Sequence, residues 1–131
     1  MSSGDPATIH ANVAERGRDA GAALGDHPGT EVRSIATRVL PQIDAAPDDT
    51  VVPTAAGLMR FIDYLPTRIF EMTVHSLDLA SALARPEQPS SAALAITLEL
   101  AATLAIEQSR AGDLLLAITG RRPLPGGFTV L

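Results

Sequence analysis

Although 46% of this chain is hydrophobic, only 3% is aromatic, so a core has to be assembled from Ala, Leu, Ile and Val. Small, helix-favouring side chains in that proportion predict closely packed helices over a sheet protein. The 131 residues are enough for one domain, spanning 1–131, with a core of its own.

Charge and composition exclude several classes. The formal net charge is −5, all ten basic residues are Arg, and there is a single Tyr. An acidic chain without a basic cluster argues against nucleic-acid binding. No cysteine is present, which rules out disulfides, thiolate metal ligands and cysteine nucleophiles within the chain. The amino-terminal MSSGDPATIHANVAERG has no basic stretch followed by an apolar one, so no signal peptide is expected. The most apolar run, Ala92 to Ile106, is interrupted by Thr97, Glu99 and Thr103 and is too short to span a bilayer. A soluble cytoplasmic protein without membrane partners is the expectation.

Breakers and periodicity divide the chain into helices. Asp5-Pro6 predicts the start of a first helix reaching about Leu24. Gly25 to Gly29 reads as a loop, and Thr30 as the cap of a second helix through roughly Ala45, with a kink or early stop at Pro41. Ala46 to Asp49 is a turn, followed by a short extended piece over Thr50 to Pro53. A third segment is predicted over Ala55 to Asp63, with Leu58, Phe61 and Ile62 towards the core. A fourth helix is expected to begin at Pro66 and run to about Ala84. Ser90 caps a fifth from Ser91 to about Arg110, with Leu94, Leu98, Ala101, Ala102 and Ala105 at helical spacing. Asp113 to Thr119 forms a short last helix ended by Gly120, and the tail from Arg121 to Leu131 is extended.

The helix beginning at Pro66 carries Arg68, Glu71, His75 and Asp78 at spacings of three, four and three, which keep them on one face. Its other positions, including Ile69, Phe70, Met72, Val74, Leu77 and Leu79, are apolar and are expected to be buried. A polar row on such a helix is costly unless paired, hydrated or bound to something. Glu71 and His75, at i and i+4, can converge on one cation. Asp78 can accept the second imidazole N–H, and Arg68 can hold a carboxylate or other anion. The same residues can also be two ordinary i,i+3 pairs, Arg68–Glu71 and His75–Asp78, on a wet face. A zinc site needs at least one further protein ligand. Of the two remaining histidines, His10 in the first helix can reach the stripe if the helices pack together, whereas His27 sits in a Gly/Pro loop facing solvent.

Other candidates carry less. Ser76, Ser90 and Ser91 lack the context of a nucleophile elbow. Gly126-Gly127 reads as a turn after proline, and Arg121-Arg122 either complements a helix dipole or holds an anion.

The segment LPTRIFEMTVHSLDLASAL resembles the R-x-x-E-x-x-x-H-x-x-D-L helix of mycothiol-dependent maleylpyruvate isomerase-like proteins, members of the DinB/YfiT-like metalloenzyme superfamily. The ending DLLLAITGRRPLPGGFTVL and the earlier AGLMRFIDY are similar too, so the resemblance covers roughly residues 48 to 131. It implies an all-α fold, a DinB-like up-down helical bundle with a short extended tail. It also implies a divalent metal, commonly zinc, held by Glu71, His75 and a histidine from an earlier helix. The metal would activate mycothiol towards a small-molecule electrophile, for isomerisation or transfer, with Asp78 orienting His75 and Arg68 holding a substrate or thiol carboxylate. Nothing before Glu71 matches the family's amino-terminal W-x-x-x-x-L-x-x-H motif. The chain reads as a member truncated by one helical hairpin. Its metal site is then incomplete, or is completed by His10, or by a second chain. A bundle short of a helix exposes apolar surface, which favours a homodimer. The alternative from another class is a degenerate, non-catalytic helical domain that dimerises or binds a partner.

Overall fold

The computed structural model describes the backbone of residues 6–54, 57–86 and 88–131, and their side chains from residue 14 onward. The described residues form five helices and one two-stranded sheet: α1 (Pro6–Ala23), α2 (Pro28–Ala45), β1 (Val51–Thr54), β2 (Gly57–Arg60), α3 (Phe61–Ala82), α4 (Ser91–Glu107) and α5 (Ala111–Ile118). The mostly helical architecture agrees with the all-α expectation, and the small sheet is an addition to it. The chain divides into two compact units, Met1–Ala46 and Pro47–Leu131.

The first unit holds α1 and α2. The expected cap at Asp5 lies outside the described residues. Helix α2 starts at Pro28, two residues before the expected Thr30 cap, because proline at the first helical position has a preset φ and no N–H to lose. It passes through Pro41 and ends at Ala45. Ile35, Ala36 and Ile43 are half-buried, and no described α2 side chain is fully buried.

In the second unit, β1 and β2 pair antiparallel, with Val51 opposite Arg60 and Thr54 opposite Gly57. Of the third segment expected over Ala55 to Asp63, Gly57 to Arg60 form a strand and Phe61 to Asp63 open α3, while Ala55 and Ala56 lie outside the described residues. Gly57 has φ +116°, a conformation open to glycine, and its carbonyl accepts the Thr54 hydroxyl at 2.8 Å. Leu58 and Ile62, expected in the core, are exposed. The hairpin leads directly into α3: the Phe61 N–H donates to the Thr50 carbonyl at 2.6 Å. Arg60 donates to both Asp63 carboxylate oxygens, at 2.7 and 2.9 Å, and this contact raises the guanidinium pKa above its ordinary value. Asp63 also sits in the first turn, where a negative charge complements the helix dipole.

Helix α3 therefore begins at Phe61, five residues ahead of expectation, and takes Pro66 into its second turn. A proline so close to the start forfeits one backbone hydrogen bond, the one to the Ile62 carbonyl. The return from α3 to α4 uses Ala84 at φ +51°, with the Arg85 N–H bonded to the Ala80 carbonyl at 2.8 Å. That is the Schellman ending, made here without glycine. Ser90 then caps α4 as expected, accepting the Ala93 N–H at 3.2 Å.

Helices α3 and α4 pack against each other antiparallel. Ser76 shares a groove with Pro89 and Ala93, whereas Thr67 and Phe70 share one with Leu100 and Leu104. The core is small: Phe70 and Ala105 are its buried apolar residues, joined by the buried Thr73 and Thr97. Leu98, one of the α4 residues at helical spacing, is exposed. After α4 the chain repeats the left-handed ending, with Ser109 at φ +58°, and α5 ends at Gly120 with φ +71°. The tail is bent, not simply extended. The Phe128 N–H bonds to the Pro125 carbonyl at 3.1 Å around Gly127, which has φ +72°. Gln108 and Arg110 then donate to the Val130 and Thr129 carbonyls, both at 2.8 Å.

Candidate metal centre

Arg68, Glu71, His75 and Asp78 occupy one side of α3, as their spacing requires. The row is wet: His75 is 73% exposed, Asp78 72% and Glu71 47% at the side chain. The desolvation cost of a buried polar row is therefore not incurred in the chain by itself. Met72 and Leu79, expected to be buried, are instead 71% and 61% exposed beside the polar row. Phe70 and Thr73 are buried, and Ile69, Val74 and Leu77 are half-buried. One neighbouring helix can shield about a third of a helix circumference, not the whole of it.

Within the row, His75 Nε2 lies 3.4 Å from Glu71 Oε2, and His75 Nδ1 lies 3.5 Å from Asp78 Oδ2. Both separations are at or beyond the outer edge of a hydrogen bond. They place the imidazole between two carboxylates on successive turns, one carboxylate to each nitrogen. Arg68 turns away from Glu71. Its guanidinium carbon stands 4.9 Å from the Tyr64 ring centroid, and its Nε donates to Thr67 Oγ1 at 3.3 Å. The His75–Asp78 contact thus forms as an i,i+3 pair, whereas the Arg68–Glu71 pair does not.

The 3.4 Å between Nε2 and Oε2 is close to the edge of a tetrahedral zinc site, about 3.3 Å for ligand distances near 2.0 Å. Two donors are in place by type and spacing. No group of three His, Cys, Asp or Glu residues able to hold a metal ion occurs among the described residues. His10 lies in the part of α1 whose side chains fall outside the described residues, so its place relative to Glu71 and His75 is not defined. His27 is exposed at the start of α2 and caps nothing with its side chain.

Sequence reasoning missed one neighbour of the row. Leu131 shares a groove with Thr67, Phe70, Glu71, Leu100 and Leu104, so the end of the tail lies beside Glu71. The signal was present in Gln108 and Arg110, polar residues at the end of an apolar helix, but a contact across about 20 residues leaves no periodic trace. Arg122, considered for anion binding, is paired with Asp113.

Compared with protein-family models, with curated proteins and with solved structures, the chain matches none. No described helix is long and apolar enough to cross a membrane.

Proposed function

We propose that the chain is a cytoplasmic, thiol-dependent isomerase- or transferase-like metalloprotein of the mycothiol-dependent maleylpyruvate isomerase type, with Glu71 and His75 as metal ligands. The observation that carries this reading is the Glu71–His75 donor pair, spaced as adjacent corners of a zinc tetrahedron, within a helix motif resembling that family. A bound divalent metal, zinc by the chemistry of these donors, would lower the pKa of a coordinated thiol and so supply the nucleophile that a chain without cysteine lacks.

The chain's own residues have separate tasks. Asp78 faces Nδ1 and, after a small side-chain rotation, holds the proton there, which leaves the Nε2 lone pair towards Glu71. Arg68, over Tyr64 at the same edge, binds the carboxylate of the small-molecule electrophile or of mycothiol. At least one more protein ligand is required, from His10 or from a second chain.

Metal analysis of the purified protein tests the reading. Offered one equivalent of zinc, the wild type should retain it through gel filtration, and Glu71→Gln and His75→Ala should each lose it. A wild type that retains no metal overturns the proposal. A His10→Ala variant with full metal assigns the third ligand elsewhere.

A second reading rests on the exposed Met72 and Leu79: a non-catalytic helical domain whose task is to dimerise or to bind a partner. It predicts no metal and a persistent complex.

A further inference from the structure

The exposed side of α3 has a pattern that metal binding does not explain. Leu65, Arg68, Met72, His75 and Leu79 follow one another at alternating spacings of three and four, the seam of a two-helix contact. Met72, His75 and Leu79 are each more than half exposed, so this stretch of the seam has no covering partner among the described residues of the second unit. Glu71 and Asp78 flank it on one side.

The charges along this seam are complementary to themselves in reverse. Arg68 and Asp78 lie five residues before and after Thr73, and Glu71 and His75 lie two residues before and after it. In each pair the two members are a cationic or N–H-donating group and a carboxylate. Two copies of α3 crossing antiparallel, with a two-fold axis level with Thr73, therefore set Arg68 opposite Asp78 of the second copy and Glu71 opposite its His75. The symmetry repeats both contacts. Alternative alignments lose this match. A parallel pair puts every charge opposite its own copy, and a register centred between Glu71 and Asp78 opposes carboxylate to carboxylate.

We propose that α3 pairs with α3 of a second copy of this chain in this antiparallel register. Met72 and Leu79 supply the apolar seam, and the Arg68–Asp78 and Glu71–His75 contacts fix direction and register. The dimer does not rest on the metal reading, although it brings a second Glu71–His75 pair up to the first.

Sedimentation velocity in EDTA tests the dimer separately from metal binding. At roughly 100 µM the wild type should sediment at twice the 13.6 kDa chain mass. Arg68→Asp and Asp78→Arg each create like-charge contacts at both ends of the interface and should weaken dimerisation about tenfold or more. The double variant restores unlike charges and should recover most of the loss. Circular dichroism checks that the single variants keep their helices, which is expected because both side chains are exposed. A monomeric wild type overturns the proposal. So do single variants that dimerise normally, or a double variant as weak as either single one.

Discussion

His75 Nδ1 lies 3.5 Å from Asp78 Oδ2, while the Nε2 of the same ring lies 3.4 Å from Glu71 Oε2. One imidazole thus addresses two carboxylates from successive turns of α3, and the two nitrogens have different neighbours. That difference separates the role of Asp78 from that of Glu71.

In the proposed metal centre, replacing Asp78 by Asn keeps the shape and removes the charge that would steady the Nδ1 proton. In the metal-loaded protein, zinc affinity should fall by about 10- to 100-fold, whereas Glu71→Gln should abolish stoichiometric binding. Competition with a chromophoric chelator measures both. Equal losses in the two variants would place Asp78 among the ligands themselves.

The buried hydroxyl of Thr97 makes a prediction about stability alone. It has no hydrogen-bond partner among the described residues, although the side chain sits in the α3–α4 core. An unsatisfied buried hydroxyl costs about 1–3 kcal/mol, and valine fills nearly the same volume without it. Thr97→Val should therefore stabilise the chain by about 1 kcal/mol in urea denaturation with an unchanged m-value. A destabilised Val variant would mean that the hydroxyl has a partner in solution.

Helix ends were less legible in the sequence than helix middles, for a physical reason visible at Ala84 and Ser109. The endings of α3 and α4 use left-handed residues, at φ +51° and +58°, that carry no glycine to announce them. Gly120 does announce the end of α5, and there expectation and structure agree to within a residue. Ser90 was likewise readable, because an N-cap works through its own side chain. The β-hairpin was not: Leu58, Phe61 and Ile62 fit a helical spacing, and only the pairing of β2 with β1 makes Leu58 an exposed strand residue. In the candidate site, spacing alone placed Glu71, His75 and Asp78 on one face. It could not show that Met72 and Leu79 are uncovered, because that depends on how many helices pack around α3.

The left-handed endings invite a direct test. A side chain at such a φ costs about 1 kcal/mol relative to glycine. Ser109→Gly should raise stability by up to that amount, since nothing crowds its exposed position. The same change at Ser91, inside the first turn of α4, should lower stability, which controls for the general effect of glycine.

The tail offers the last test, because Gln108 and Arg110 reach its last residues from the end of α4, and Arg110 makes two contacts there. Arg110 donates to the Thr129 carbonyl at 2.8 Å and its guanidinium carbon stands 5.8 Å from the Phe128 ring centroid, while Gln108 holds Val130. Those bonds lay the tail across the end of α4 and bring Leu131 beside Glu71. Arg110→Ala removes the hydrogen bond and the ring contact together, leaving the Gln108 bond at that end of α4. Hydrogen exchange at the Phe128 and Leu131 amides should then quicken several-fold, while exchange in the middle of α4 stays unchanged. The groove over Thr67 and Phe70 opens as the tail leaves it, so Glu71 gains exposure. Unchanged tail exchange in Arg110→Ala would assign the anchoring to Gln108 and to the turn at Gly127.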